Sequence, residues 1–275
     1  MEENTLVSHC QGCANSGKCS PDAKAHCGVE NNENNEIKNV IAVMSGKGGV
    51  GKSTVTALLA QALARQGYTV GVMDADITGP SMPRLMGLAG AKVDNGMFGL
   101  LPPQDEHGIP VMSLNLLLES EDQPVLWRGP VIAGVITQFW KDVFWGKLDV
   151  LLIDLPPGTG DVALTVLQSL PVGGIILVSV ADAMVSMIVR KALGMARKME
   201  KPVLGVVQYM AYVTAPHSGE RVPLYDDPAA RQALAQEGLP LLAELPFLSS
   251  PTAGNAEADA AMDIAARQIA ATLRK

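Results

Sequence analysis

The four cysteines of this 275-residue chain all lie within its first 27 residues, in the stretch CQGCANSGKCSPDAKAHC. Their spacing is C-x2-C-x5-C-x7-C, and two histidines, His9 and His26, stand beside the outer pair. Thiolates are soft ligands that suit an iron–sulfur cluster or zinc. The spacing favours a cluster, with a zinc knuckle or a tail without metal as the alternatives. The candidate ligands are Cys10, Cys13, Cys19 and Cys27.

A glycine-rich loop follows the apolar run VIAVM at residues 40–44. The loop fits G-x4-G-K-[ST], in which glycines let backbone N–H groups surround a phosphate at a helix N-terminus. We therefore expect Lys52 to pair with the β- and γ-phosphates of a nucleotide and the Ser53 hydroxyl to ligate Mg²⁺. The candidate contact residues are Gly46, Lys47, Gly48, Gly49, Val50, Gly51, Lys52, Ser53 and Thr54.

Three aspartates follow later apolar runs: Asp74 and Asp76 in YTVGVMDAD, and Asp154 in LDVLLIDLPPGTGD. An aspartate at the carboxyl end of a parallel strand lies at the ligand-binding edge of such a sheet. We expect Asp154 to hold Mg²⁺ through water, and Asp76 to orient the attacking water or contact the metal shell. A turn or a helix cap is the alternative role for each.

These residues must be positioned by alternating strands and helices. Such an alternation predicts a three-layer α/β P-loop NTPase fold with a mostly parallel central sheet covered on both faces. We predict that residues 1–37 form a cysteine-rich extension and linker, and that 38–275 form the ATPase domain. The polar run 28–39 favours a flexible linker, and residues 91–113 favour a β-hairpin insertion. Strands are predicted near 39–45, 68–74, 109–114, 148–154, 173–180, 202–208 and 240–245, and helices near 52–66, 129–143, 160–170, 184–200, 228–237 and 253–274.

Composition limits the partners. Hydrophobic residues make up 48% of the chain and charged residues 18%, which excludes a disordered chain. The formal net charge of −7 offers no attraction to nucleic acid or to an anionic membrane. Without a secretory signal or an apolar run long enough to span a bilayer, the sequence predicts a cytoplasmic protein. In that compartment clustered cysteines are metal ligands more often than disulfides.

The phosphate loop also resembles a known family group. Lys47 gives the form K-G-G-x-G-K-[ST], similar to the deviant Walker A loop of the ParA/MinD/nitrogenase iron protein group. That resemblance implies that Lys47 crosses a dimer interface to the partner's nucleotide. The stretches DADITGPSMPRLMG, LWRGPV, DLPPGTGD and VSMIVRKALGMARKM resemble the Mrp/ApbC-type ATPases, which are nucleotide-binding iron–sulfur carriers. The resemblance implies ATP and Mg²⁺ as cofactors, a homodimer or heterodimer, and delivery of clusters to apoproteins.

The N-terminal cysteines resemble those of a branch of this family that carries an extra cluster, which implies a 4Fe–4S cluster here. Three of them match its C-x2-C-x5-C core, but Cys27 follows the core, whereas the branch has a more distant cysteine before it. Most of the family has a second, C-terminal cysteine pair, where this chain has Ala215 and Ser218. The family's adenine-reading asparagine is replaced by Tyr209, which could stack on a base but cannot make a bidentate amide contact.

The sequence therefore predicts a slow ATPase that carries or scaffolds iron–sulfur clusters, with Lys47, Lys52 and Asp76 as catalytic residues. A ParA/MinD-like positioning ATPase and a regulatory subunit of a heterodimeric cluster-assembly ATPase are the alternatives. An electron donor of the nitrogenase type is disfavoured, because no cysteine follows Cys27. The expected partners are ATP, apo iron–sulfur proteins and a like subunit, with no nucleic acid and no membrane.

Overall fold

A computed structural model describes residues 29–77, 79–119, 129–180, 185–225, 236–250 and 254–273. The four cysteines, Trp127 and most of the helix predicted near 228–237 lie outside these residues. The strands are β1 (Glu36–Ser45), β2 (Val70–Asp74), β3 (Asp94–Gly96), β4 (Gly99–Leu101), β5 (Val111–Met112), β6 (Lys147–Asp154), β7 (Gly174–Ser179), β8 (Val203–Thr214), β9 (Arg221–Pro223) and β10 (Leu241–Pro246).

The helices alternate with these strands. They are α1 (Lys52–Arg65), α2 (Met82–Leu85), α3 (Gly129–Asp142), α4 (Asp161–Ser169), α5 (Val185–Lys198) and α6 (Ala256–Ala270). A single 3₁₀ turn covers Leu114–Leu116. None of the helices in the described ranges is long and apolar enough to cross a bilayer.

Seven parallel strands form the central sheet in the order β10-β8-β7-β1-β6-β2-β5. Strand β9 adds an antiparallel partner at the far end of β8, in the register Val213 opposite Val222. The inner strands read as continuous apolar runs because both faces of the sheet are covered, and β7 is buried at every position. The predicted α/β fold with a mostly parallel sheet is confirmed.

Helix α6 packs on α1 and β10 through one small apolar face. Asn255 caps its first turn by accepting a hydrogen bond from the backbone N–H of Ala258 at 2.9 Å. The buried residues of α6 are Ala258, Met262, Ala265, Ala266 and Ile269. The helix therefore completes the core of the domain.

The expected flexible linker is wrong for residues 29–35, which we call the anchor segment. The Val29 N–H donates to the Ser169 carbonyl at 3.0 Å, and the Trp140 indole N–H donates to the Val29 carbonyl at 3.1 Å. Asn35 accepts from the N–H groups of Trp145 and Gly146 at 2.7 and 3.0 Å. Flexibility was predicted from composition alone. Composition does not show that an asparagine side chain can satisfy the backbone groups of a neighbouring turn, so the prediction failed.

The anchor segment lies at the amino ends of β1 and β6. The Glu36 N–H donates to the Gly146 carbonyl at 2.8 Å, and Glu36 is in register with Lys147 at the start of β6. The phosphate loop follows the other end of β1. The ten residues of β1 therefore separate the anchor segment from the loop by about 30 Å.

Replacing Asn35 by alanine should destabilise the domain. The change leaves the N–H groups of Trp145 and Gly146 without their acceptor, and removes the donor that reaches the Val143 carbonyl at 2.9 Å. We expect the free energy of unfolding to fall by about 2 kcal/mol. For a domain of this size the melting temperature should drop by about 4–8 °C, measured by circular dichroism.

Glu33→Ala is the matched control, since Glu33 is an exposed residue of the same segment. It should change the unfolding free energy by no more than about 0.5 kcal/mol. If Asn35→Ala melts like Glu33→Ala, the anchor segment does not hold the domain as described.

Candidate functional site

The phosphate loop, residues 46–51, connects the end of β1 to α1. The Ser45 hydroxyl donates to the Lys47 carbonyl at 3.0 Å, and the Gly158 N–H donates to the Ser45 carbonyl at 2.8 Å. The turn after β6 is thereby joined to the start of the loop. These bonds place the loop at the carboxyl edge of the sheet, as its sequence predicts.

Gly51 ends the loop in a conformation that suits only glycine. Its φ of 80° lies in the left-handed region, and a Cβ there would come within 2.0 Å of the Tyr209 ring. The Tyr209 oxygen is hydrogen-bonded to the Thr54 side chain and to the Leu248 backbone. Burial raises the pKa of Tyr209, while these hydrogen bonds oppose the rise. The ring therefore supports the loop from beneath, and only 5% of the residue is exposed.

A buried ion pair lies at the start of α1. Lys52 Nζ is 2.6 Å from Asp154 Oδ2, with side-chain exposures of 6% and 0%. The Ser53 hydroxyl donates to the same carboxylate oxygen at 2.6 Å. The Thr56 hydroxyl, one helical turn after Lys52, is 2.7 Å from Asp154 Oδ1. Both oxygens of this fully buried carboxylate are thus satisfied, as a buried charge requires.

A second buried carboxylate, Asp74, lies in register with Asp154 on the neighbouring strand. Burial raises the pKa of Asp74 to about 7, and the Asp154 charge acts in the same direction. The Lys52 ammonium and the backbone N–H groups of Met82 and Asp76 partly oppose the rise. The Ser113 hydroxyl also donates to Asp74, at 3.1 Å. Asp74 therefore connects the buried charges to the segment that carries Asp76.

A cleft of about 350 Å³ opens above these groups. It is lined by Ser45, Gly48, Gly49, Gly51, Lys52, Ser53, Thr54, Asp76, Ser81, Arg84, Leu85 and Pro157. The loop glycines, together with Asp76, Ser81 and Arg84, can enclose a chain of phosphates.

Hard oxygen ligands for Mg²⁺ are present at the base of the cleft. The Ser53 hydroxyl and the Asp154 carboxylate meet there, and Asp76 stands in the cleft wall. Mg²⁺ needs only one or two such ligands when phosphates and water supply the rest. Across the described ranges, no group of three or more His, Cys, Asp or Glu side chains could hold a metal ion without such help.

Most of the residues predicted to contact phosphate lie together in the lining of the cleft, and other predicted site residues do not line it. Lys47 is half-buried and is not among the residues that line the cleft. Ala215 and Ser218 lie in the turn between β8 and β9, where the Gly219 N–H donates to the Ala215 carbonyl at 2.9 Å. No thiol can come from that turn. The predicted cluster ligands lie outside the described residues.

Sequence reasoning missed two residues of the buried network, Thr56 and Ser113, and gave no role to a third, Asp74. Asp74 is the last residue of β2 and Asp76 stands two residues further on, so no local pattern in the sequence separates their roles. Thr56 follows Lys52 by four residues and shares its helix face. Ser113 directly follows β5, and its proximity to Asp74 depends on strand order, which no local pattern gives.

Comparison with known proteins agrees with this geometry. The family described as "ParA: NUBPL iron-transfer P-loop NTPase" matches residues 36–274. An iron-sulfur cluster carrier protein of Clostridium perfringens is 47% identical over 252 residues, which cover 86% of this chain and 88% of that protein.

Two solved structures are also similar. A nucleotide-binding protein of Archaeoglobus fulgidus in complex with ADP has a TM-score of 0.70 and 42% identity, covering 84% of this chain and 88% of that one. The cell division ATPase MinD of Pyrococcus furiosus has a TM-score of 0.57 and 22% identity, covering 85% of this chain and 99% of that one. The second likeness is one of fold alone.

The raised pKa of Asp74 predicts a pH-dependent stability. The pKa of Asp74 is about 7 in the folded state, against an ordinary value of 3.8. At pH values between these two, the folded state therefore binds more protons than the unfolded state. Stability should therefore fall as pH rises from about 4 to about 7 and change little from this group above that. Between pH 5 and 7 the loss should be about 2–3 kcal/mol.

Asp74→Asn removes this titrating group while nearly keeping its shape. Urea unfolding of both proteins from pH 5 to 8 gives their difference in unfolding free energy, in which the other titrating groups cancel. The wild type should lose stability relative to Asp74→Asn as pH rises to 7. A difference that does not change with pH would contradict the buried, proton-binding state of Asp74.

Proposed function

This chain belongs to the ParA family of NUBPL-type iron-transfer P-loop NTPases, and from that premise we propose that it is an ATP-hydrolysing carrier that assembles iron–sulfur clusters and delivers them to apoproteins. The observation that carries the nucleotide part is the buried Lys52–Asp154–Ser53 network beneath the glycine loop. The four N-terminal cysteines are the proposed cluster ligands, and the iron–sulfur cluster is cargo.

Lys52 would exchange one anion for another when nucleotide enters. Its ammonium would leave Asp154 for the β- and γ-phosphates, because the loop places it at the base of the cleft. Asp154 would keep its hydrogen bond from Thr56, but a buried carboxylate that loses its only cation is costly. Mg²⁺ held by Ser53 and Asp154 would supply the compensating charge and neutralise the phosphates.

Asp76 would orient the attacking water. It stands in the wall of the cleft, and its backbone N–H donates to Asp74 Oδ1 at 3.1 Å. The position of Asp76 therefore depends on the buried carboxylate behind it. Lys47 would complete the site of a partner subunit, as the family resemblance implies.

A dimer is part of the proposal. Apolar side chains are exposed on and around the β8–β9 hairpin, with exposures of 51% for Val222, 42% for Tyr225 and 50% for Phe247. Such a surface favours a protein partner. The hairpin is firmly held, since Glu257 on α6 accepts hydrogen bonds from Tyr212 at 3.0 Å, Thr214 at 2.7 Å and Arg221 at 2.8 Å.

A regulatory subunit of a heterodimeric cluster-assembly ATPase is the second candidate. The turn that carries Ala215 and Ser218 lies at the end of this apolar hairpin and has no thiol. A partner subunit that has cysteines at these positions would then hold any cluster at this interface. Co-purification with such a related ATPase, and cluster binding only in its presence, would favour this candidate.

Lys52→Ala should abolish ATP binding, because it removes the group proposed to pair with the phosphates. Lys47→Ala should keep nucleotide binding but lower the hydrolysis rate at least tenfold, since its proposed contact is made across the dimer. Binding is measured with a fluorescent ATP analogue and hydrolysis by phosphate release.

Lys92→Ala is a control, because Lys92 is an exposed lysine whose ammonium binds the Leu118 carbonyl away from the cleft. Equal activity in all three variants would exclude the proposed site.

Metal and sulfide analysis of anaerobically purified protein tests whether the chain carries an iron–sulfur cluster. The wild type should hold iron with an equal amount of sulfide and absorb in the visible range. Changing Cys10, Cys13, Cys19 and Cys27 to serine should remove both, while ATP binding stays intact. Zinc without sulfide would instead make the cysteines a structural knuckle and would reject the carrier proposal for the isolated chain.

A further inference from the structure

An exposed apolar surface lies on the β3–β4 hairpin. Its members are Met97, Phe98 and Leu101, which are 91%, 49% and 39% exposed. We call these three residues the hairpin patch. A methionine at the tip of a turn, with nearly its whole side chain in water, has no packing role within the described part of the chain. Contiguous exposed apolar groups of this kind mark contact surfaces for other proteins.

The hairpin is held rigidly in place. Leu100 forms a β-bridge with Val143 just after α3, and the Phe98 ring lies 5.5 Å from the Phe144 ring. Gly99 has a φ of 135°, and a Cβ there would come within 2.3 Å of the Asp142 carbonyl oxygen. The backbone of the hairpin therefore fits against the end of α3 only with glycine at this position. A pre-ordered surface loses little conformational entropy when a partner binds.

The hairpin patch adjoins the anchor segment. The Asn32 side-chain amide donates to the Phe98 carbonyl at 2.7 Å, so the chain that leads back to the cysteines touches the hairpin. Cys27 precedes Asn32 by five residues, which limits the distance between their Cα atoms to about 19 Å. The phosphate loop, by contrast, is at the opposite edge of the sheet.

We propose that the hairpin patch is the docking surface for the apoprotein that receives the cluster. This inference rests on the proposed carrier function. The expected partner presents an apolar surface next to unligated cysteine thiols. Docking at the hairpin would bring those thiols to the side of the domain from which the cysteine-bearing segment extends.

Proximity matters because cluster transfer is ligand exchange. Each iron–cysteine bond to the carrier breaks as an iron–cysteine bond to the acceptor forms, and the cluster moves whole. The acceptor thiols release their protons and the freed carrier thiolates take them up. Neither iron nor sulfide is oxidised or reduced, so no further reactant is needed.

The test compares Met97→Glu with wild type in the full-length, cluster-loaded protein. The acceptor is an apoferredoxin that takes a 4Fe–4S cluster, and transfer is followed anaerobically by circular dichroism at subsaturating acceptor. Burying a charge in an apolar contact should slow transfer about tenfold. Iron and sulfide content and ATP hydrolysis should equal those of the wild type. Met97→Leu keeps the apolar area and should restore the rate.

Ile264→Glu is the matched control, because Ile264 is 49% exposed on α6, away from the hairpin. It should transfer at the wild-type rate. Unchanged transfer by Met97→Glu, or equal slowing by Ile264→Glu, would overturn the docking surface and leave the carrier function intact. Failure of the wild type itself to transfer would instead reject the carrier function, and the inference with it. A change of molar mass in Met97→Glu, seen by sedimentation, would assign the patch to a second copy of the chain.

Discussion

The nucleotide site depends on one buried charge, the Asp154 carboxylate at the end of β6. It is fully buried, and Lys52, Ser53 and Thr56 contact its two oxygens, as a buried charge requires. All three partners come from the first five residues of α1, so this contact sets the direction in which the helix leaves the phosphate loop. Gly51 then adopts its left-handed conformation over the Tyr209 ring, and the loop closes around the place where phosphates would lie. Burial raises the pKa of the neighbouring Asp74, the Asp154 charge acts in the same direction, and the Lys52 ammonium opposes the rise only in part.

The two edges of the sheet have separate roles in this interpretation. At the carboxyl edge, the cleft, Asp76 and the charged network serve nucleotide. At the amino edge, the anchor segment fixes the point from which the cysteine-bearing segment extends, beside the β3–β4 hairpin. About 30 Å of β1 lies between them. The anchor segment and a nucleotide in the cleft are therefore too far apart for direct contact.

Much of this arrangement could be predicted from the sequence, because the signals were local. The buried strands appear as unbroken apolar runs, and the glycine loop with Lys52 and Ser53 stands where a strand meets a helix. The α/β fold and the resemblance to iron–sulfur carriers of the ParA group are both confirmed. The order of the strands was not predicted, and it alone brings Ser113 to Asp74. The anchor segment was wrongly predicted to be flexible, because the local sequence does not show that Asn35 bonds to a turn more than a hundred residues away.

The two substitutions in the β8–β9 turn can be understood from the same division of edges. Strand β8 continues beyond its predicted end at 208 to Thr214, and this extension carries Ala215 to the end of an apolar hairpin. That hairpin is still braced by Glu257 through Tyr212, Thr214 and Arg221, although it holds no thiol. The order of this hairpin and its exposed apolar side chains fit a contact between subunits, while the four cysteines all lie before the anchor segment.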